Sequence, residues 1–140
     1  MKGITLRKLS AIFTTVILFA MMSPANANDY IDFRSKLNAA RSSLVTLMTD
    51  KDQRGPEQQK LVKDTADAVS AQLAKMKAPA GKEAQFKELV DTWAAFKDTR
   101  ENKLVPAILK GDAESVKELT FGIQKERLAK CLSLAKELEK

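Results

Sequence analysis

Apolar side chains recur every three or four residues through most of this chain, and they fall into four stretches. The first two stretches carry Tyr30, Phe33, Leu37, Ala40, Leu44 and Leu47, then Val62, Ala66, Val69, Leu73 and Met76. The last two carry Phe86, Leu89, Val90, Trp93, Phe96, Leu104 and Ile108, then Val116, Leu119, Ile123, Leu128, Leu134 and Leu138. Because a helix turns by about 100° per residue, each set forms one apolar stripe. The spacing predicts helices over about 29–49, 57–77, 83–109 and 112–139.

Glycine and proline mark the connections between these helices. Gly55-Pro56 follows the first helix, a loop around Pro79 and Gly81 follows the second, and Gly111-Asp112 separates the last two. Gly111 suits the left-handed end of one helix, and Asp112 suits the cap of the next. Pro106 should kink the third helix or end it early. We therefore expect one all-α domain over residues 28–140, an antiparallel up-down-up-down four-helix bundle.

The first 27 residues have the features of a secretory signal peptide. A basic start is followed by an apolar run from Ala11 to Met22, and Ala25-Asn26-Ala27 has the small-x-small form of a cleavage site. We predict cleavage after Ala27 and a periplasmic location, across the inner membrane of a bacterium. The alternative is an uncleaved membrane anchor, but the run is shorter than the roughly 20 residues that a span needs.

The composition excludes several classes of function. The net charge of +6 falls to about +3 without the signal peptide, which holds three basic residues and no acidic ones, and no basic run indicates nucleic acid binding. The chain has no histidine, so it lacks the usual ligand of haem, the Glu-x-x-His pairs of diiron enzymes and the common nucleophile-base pairs. We expect no enzyme activity, no metal and no cofactor. The single Cys131 is either a buried thiol or an intermolecular disulfide.

Polar residues interrupt the apolar stripes at places that face the predicted core. Arg100 lies between Phe96 and Leu104, and three polar residues, Thr120, Gln124 and Arg127, step through the fourth stripe. On the first helix the corresponding residues are Arg34 and Arg41. A buried guanidinium needs a partner. One interpretation is a pocket in which these six residues bind a small carboxylate. Alternatively, nearby aspartates and glutamates pair with the arginines, or their heads extend into water.

The segment from Trp93 through Arg100 and the run Leu104-Val105-Pro106, to Gly111-Asp112 and Gly122, resembles the periplasmic four-helix sensory domains of methyl-accepting chemotaxis receptors. The resemblance implies an extracytoplasmic sensor, often dimeric, with its ligand near the dimer interface. In some members, arginines of the first helix and a polar segment of the last hold an amino acid or organic acid. Here Arg34, Arg41, Thr120 and Gln124 lie on those helices.

The predicted function is that of a soluble periplasmic sensor-like module that binds a small, anionic ligand and acts in signal transduction or chemotaxis. Receptors of this kind continue into a second membrane span, which does not follow the fourth helix here. The expected partners are therefore a small organic anion or amino acid, a second copy of the chain, and a membrane-bound signalling protein. The main alternative is a periplasmic protein-interaction or chaperone-like bundle with no small ligand.

Overall fold

The computed structural model describes residues 27–140, and these residues are 87% helical with no strand among them. The predicted all-α class with four helices is confirmed. The signal peptide, apart from Ala27, lies outside the described residues. The first two helices are α1 (Ala27–Thr49) and α2 (Pro56–Lys75), with a 3-10 turn at Lys51–Gln53 between them. The third comprises α3 (Glu83–Thr99), a π turn (Arg100–Leu104) and α4 (Val105–Lys110), and the fourth comprises α5 (Ala113–Phe121) and α6 (Ile123–Leu138).

The turn between α4 and α5 forms as its sequence suggests. Gly111 has φ of +73°, a left-handed conformation that favours glycine, and its N–H donates to the carbonyls of Ala107 and Ile108. The Asp112 side chain accepts a hydrogen bond from the Ser115 N–H at 3.1 Å, which caps the first turn of α5. Both ends of this turn therefore have their backbone groups satisfied by local contacts.

Two hydrophobic clusters form the core, one above the other along the helices. The larger cluster includes Tyr30, Phe33, Leu37, Leu89, Trp93 and Leu134, and the smaller one consists of Leu44, Leu47, Val62, Leu104 and Ile108. The most extensive packing is of α1 along α2 and of α3 along α6. A polar layer separates the two clusters, because Ser43 lies between Ala40 and Leu44 on α1, and Arg100 lies between Phe96 and Leu104.

Pro106 does not end the third helix early, which is one of the two outcomes that the sequence predicts. Proline lacks an N–H, and its ring clashes with the carbonyl four residues back in an α-helix. The preceding residues instead form a π turn, in which the N–H of Val105 donates to the carbonyl of Arg100, five residues back. The wider turn accommodates the proline, and the helix continues to Lys110.

The fourth helix is divided at Gly122, where the sequence predicts one uninterrupted helix. A Cβ atom built on Gly122 would lie 2.6 Å from the backbone oxygen of Glu118. The close approach of the chain at this point therefore requires glycine. The break leaves Phe121 70% exposed and Ile123 44% exposed. No helix within residues 27–140 has the length and apolar character to cross a membrane.

Candidate functional site

Arg100 is the largest fully buried side chain of the described residues, with 0% exposure. The π turn begins at this residue, and its side chain crosses the core towards α1 and α2. The Nη2 group donates to the carbonyl oxygens of Ala40 at 2.8 Å and Val62 at 3.0 Å, and to the Ser43 hydroxyl at 3.4 Å. No carboxylate of residues 27–140 forms an ion pair with it. The guanidinium is therefore held by neutral acceptors on one side.

Two further nitrogens of this guanidinium, Nε and Nη1, are buried and have no hydrogen-bond partner within the described residues. Leaving a buried donor unpaired costs about 1 to 3 kcal/mol, and more when the group is charged. Burial lowers the pKa of Arg100 from 12.5 to about 10, and the nearby charge of Glu101 opposes that effect. The side chain stays protonated at neutral pH. Arg100 is thus a buried cation with two donors unpaired among the described residues, and the nearby Glu101 carboxylate forms its ion pair with Lys97 instead.

A cavity of about 360 Å³ lies against this arginine, between α1, the end of α3 and the junction of α5 with α6. Its apolar wall includes Leu44, Val45, Met48, Phe96, Phe121 and Leu128. Its charged lining residues are Arg41, Arg100 and Lys125, and none of the described residues that line it is acidic. Arg41 and Lys125 are exposed, whereas Arg100 is the buried member. The cavity therefore combines an apolar interior with a uniformly positive set of charges.

Four of the six predicted site residues line this cavity: Arg41, Arg100, Thr120 and Gln124. The Thr120 hydroxyl faces the sulfur of Met48 at 3.8 Å, and a thioether is a weak acceptor. This hydroxyl is therefore available to a better acceptor.

Gln124 has no such freedom, because both ends of its side-chain amide are engaged by the protein. Its Nε2 donates to the Phe96 carbonyl at 2.9 Å, and its Oε1 accepts from Arg127 Nη1 at 3.2 Å. Gln124 is 4% exposed and ties α6 to α3. It supports the cavity wall and does not offer a free polar group.

The structure places the other two predicted residues outside the cavity. Arg127 points to α3, where its Nη1 donates to Thr99 Oγ1 at 2.8 Å and to the Ala95 carbonyl at 3.3 Å. It lines a separate surface depression that also contains acidic residues. Arg34 forms an ion pair with Glu139, which joins α1 to the residue after α6. Arg34 therefore has an anionic partner, whereas Arg127, like Arg100, is held by neutral acceptors among the described residues.

Sequence reasoning missed several residues of the site. Val45 and Phe121 lie off the predicted stripes, and Lys125 reads as an ordinary surface lysine. Ser43 accepts from Arg100 and also shares a 2.8 Å hydrogen bond with Thr65 Oγ1. The only feature of the sequence that pointed to this contact was that Ser43 and Thr65 lie next to the apolar stripes of α1 and α2. The predicted acidic partners of Arg100 are engaged elsewhere, since Asp67 and Glu101 both pair with Lys97.

Cys131 is a buried free thiol, 1% exposed, in the larger core cluster. Burial raises the pKa of this thiol from 9.0 to about 12, so it is inert at neutral pH. Among residues 27–140, no group of acidic or cysteine side chains is arranged to hold a metal ion.

The chain has no significant match to a protein-family model, to a curated protein or to a solved structure. The geometry of the cavity and the chemistry of its lining are therefore the grounds on which a function is proposed.

Proposed function

We propose that this chain is a periplasmic, sensor-like four-helix bundle that binds a small anionic ligand in the cavity beside Arg100. One observation carries the proposal: a fully buried guanidinium lines a cavity whose described charged residues are all cationic, and within residues 27–140 two of its nitrogens have no hydrogen-bond partner and no carboxylate pairs with it. In this proposal the bundle reports ligand binding to a membrane-bound signalling partner, in the manner of the receptor domains that the sequence resembles.

The energetics of Arg100 support a ligand role over a purely structural one. Well-packed apolar residues often replace buried charges with no loss of stability. An arginine without an anion at this position is therefore expensive for the fold. A ligand carboxylate would supply the missing charge and accept the unused hydrogen bonds, and arginine binds carboxylates with two parallel bonds.

The up-down-up-down arrangement is part of the proposal. It is supported by the contacts of α1 with α2 and of α3 with α6, and by the short turns at Gly55 and Gly111. Short connections between long helices favour antiparallel neighbours. Paramagnetic labels at the two ends of α1 and at one end of α3 would test this arrangement through the distances between them.

Export is proposed from the basic start, the apolar run and the Ala25-Asn26-Ala27 site. The test is an intact mass of the protein recovered from the periplasmic fraction of a bacterial host. A mass that begins at Asn28 agrees with cleavage after Ala27. A full-length mass in the membrane fraction contradicts this part of the proposal.

Ligand binding is tested by thermal melting of the purified protein with a panel of organic acids, amino acids and their neutral analogues, at fixed salt and pH. A ligand at about 100 times its dissociation constant stabilises by about 2.7 kcal/mol, which is a shift of several degrees for a domain of this size. The expected result is stabilisation by an anion that weakens in Arg41→Gln but persists in Arg34→Gln. The second variant is the matched control, because Arg34 is on the same helix but outside the cavity. A flat panel contradicts the proposal.

A specific observation also favours the alternative of a protein-interaction bundle. Phe121 and Ile123 flank the Gly122 break and are both substantially exposed. Exposed apolar residues at one place mark interaction surfaces when they form a patch. If this is the function, the ligand panel is flat and crosslinking to a periplasmic partner is lost when Phe121 and Ile123 are both changed to serine.

A further inference from the structure

We infer that the ligand of the Arg100 cavity is an amphipathic monocarboxylate, with one carboxylate head and an unbranched or aromatic apolar body. This inference rests on the proposed function, because it assigns a chemical class to the same site. It follows from three properties of the cavity: one buried cation, an apolar wall, and the lack of an acceptor for a second polar group.

The head group is a single carboxylate because only one guanidinium is buried. Arg100 Nε and Nη1 have no acceptor among the described residues, and because both are buried, a carboxylate reaches them only when the side chains of the cavity wall move. Arg41 and Lys125 are exposed and add positive charge at the mouth of the cavity. They attract an anion towards the site without being desolvated themselves. Inside the cavity, beyond the reach of these exposed cations, a second carboxylate on the ligand would lie against the apolar wall, which is unfavourable.

Amino acids fit this cavity poorly for a related reason. Their ammonium group needs an anionic or strong neutral acceptor when it is desolvated. None of the lining residues is acidic. The side-chain oxygen of Gln124 accepts from Arg127 instead. The remaining hydroxyl, that of Thr120, is better placed to donate to a carboxylate than to hold a cation.

The apolar body is indicated by the size and continuity of the wall. An engineered cavity of about 150 Å³ binds benzene, and this one has about 360 Å³. A second cavity of about 530 Å³ adjoins it and shares Met48, Thr120 and Phe121. The described residues lining this second cavity also include no acidic side chain, and four are lysine or arginine. A chain that begins at Arg100 therefore has an apolar path past Phe121.

The test is isothermal titration of the purified protein with butyrate, hexanoate and octanoate, each below its micelle concentration. Burying each additional methylene should tighten binding about fourfold, which corresponds to about 0.8 kcal/mol. Octanol and succinate are the comparison ligands. Octanol lacks the charge, and succinate has a second charge in place of the apolar end. The expected order is octanoate first, with octanol and succinate each at least tenfold weaker.

The outcomes separate this inference from the proposed function. If succinate or an amino acid binds more tightly than octanoate, the anion site stands and the amphipathic class is wrong. If octanol binds as tightly as octanoate, the cavity is apolar only and the role of Arg100 is wrong. If none of these ligands binds, this inference is overturned, and the melting panel of organic acids and amino acids decides whether the proposed function stands.

A filled-cavity variant ties the binding to this place without removing Arg100. Val45 is 40% exposed at the cavity wall, so Val45→Trp should fill the mouth and still fold. Ile31→Trp is the matched control, because Ile31 is on the same helix, 48% exposed and outside the lining. Octanoate affinity should fall at least tenfold in Val45→Trp and stay unchanged in Ile31→Trp. Equal affinity in the two variants would place the ligand elsewhere and overturn the inference.

Discussion

Replacing Arg100 with methionine should lower the stability of the protein by no more than about 3 kcal/mol while it removes ligand binding. Methionine keeps most of the length and flexibility of the arginine stem, so it fills the same space with little repacking. The substitution removes the buried charge and the donor to the carbonyls of Ala40 and Val62. Two opposing contributions to the free energy of unfolding follow from these changes.

The first contribution favours the variant. The pKa of Arg100 falls from 12.5 to about 10 on burial, and at about 1.4 kcal/mol per pKa unit the buried charge costs about 3 kcal/mol. The second contribution favours the wild type. Hydrogen bonds to a charged group contribute about 1.5 to 3 kcal/mol each, and Arg100 makes two such bonds to carbonyls at 3.0 Å or less. The two bonds together contribute about 3 to 6 kcal/mol, so we expect Arg100→Met to lose between nothing and about 3 kcal/mol of stability.

The assay is urea unfolding followed by circular dichroism, with and without the ligand. Arg100→Met should still unfold cooperatively, with a loss of no more than about 3 kcal/mol, and should lose stabilisation by ligand. Arg34→Met is the control, because this arginine pairs with Glu139 outside the cavity and its loss should leave ligand stabilisation intact. A loss of more than about 4 kcal/mol in Arg100→Met, the range for breaking a buried ion pair, would show that Arg100 is a structural residue and refute the reasoning.

Three further predictions concern stability and pH. Gly122→Ala should destabilise the fold by about 1 to 3 kcal/mol in urea unfolding, because the added Cβ would meet a backbone oxygen at 2.6 Å; an increase in stability would contradict the observed break. Cys131 should react with a thiol reagent only after unfolding, because it is buried. Burial also raises the pKa of this thiol from 9.0 to about 12, so its contribution to stability is present below pH 9.0 and is lost as the pH rises towards about 12. In Cys131→Ala the alkaline loss should therefore begin only near pH 10.0, the ordinary pKa of tyrosine, and continue towards about 12, the raised pKa of Tyr30. The hydrogen bond and ion pair with Arg34 lower the pKa of Glu139, so this pair contributes stability above the ordinary pKa of 4.5, and that stability is lost as the pH falls through the lowered pKa. In Glu139→Gln the melting temperature should therefore depend less on pH over that acidic range. An unchanged dependence of the melting temperature on pH would count against the contact.

Periodicity predicts the core of this protein well because it reports burial along one face of a helix. Tyr30, Phe33 and Leu37 stand on the predicted stripe of α1 and are fully buried. Arg100 was placed on the core side by the same argument, since Phe96 and Leu104 stand four residues to either side. Its acceptors are backbone carbonyls of two other helices, and backbone groups leave no signature in the sequence.

The remaining site residues were harder to place because the fourth helix changes course. Thr120, Gln124 and Arg127 share one face only if the helix is continuous, and the break at Gly122 falls between the first and the second. Thr120 and Gln124 still meet the cavity, whereas Arg127 turns to α3. Arg34 is a heptad from Arg41, but it pairs with a residue 105 positions away. Local spacing cannot indicate a contact at that separation.

The central claim is that Arg100 receives the carboxylate of a ligand, and the most direct test is nitrogen–proton correlation NMR of the arginine side chains during titration with octanoate. The Nε resonance of Arg100 is identified by its loss in Arg100→Met. The account predicts that this resonance moves downfield as the unpaired N–H gains an anionic acceptor, with saturation at the affinity measured by calorimetry. An unmoved Arg100 resonance at saturating octanoate would contradict the claim.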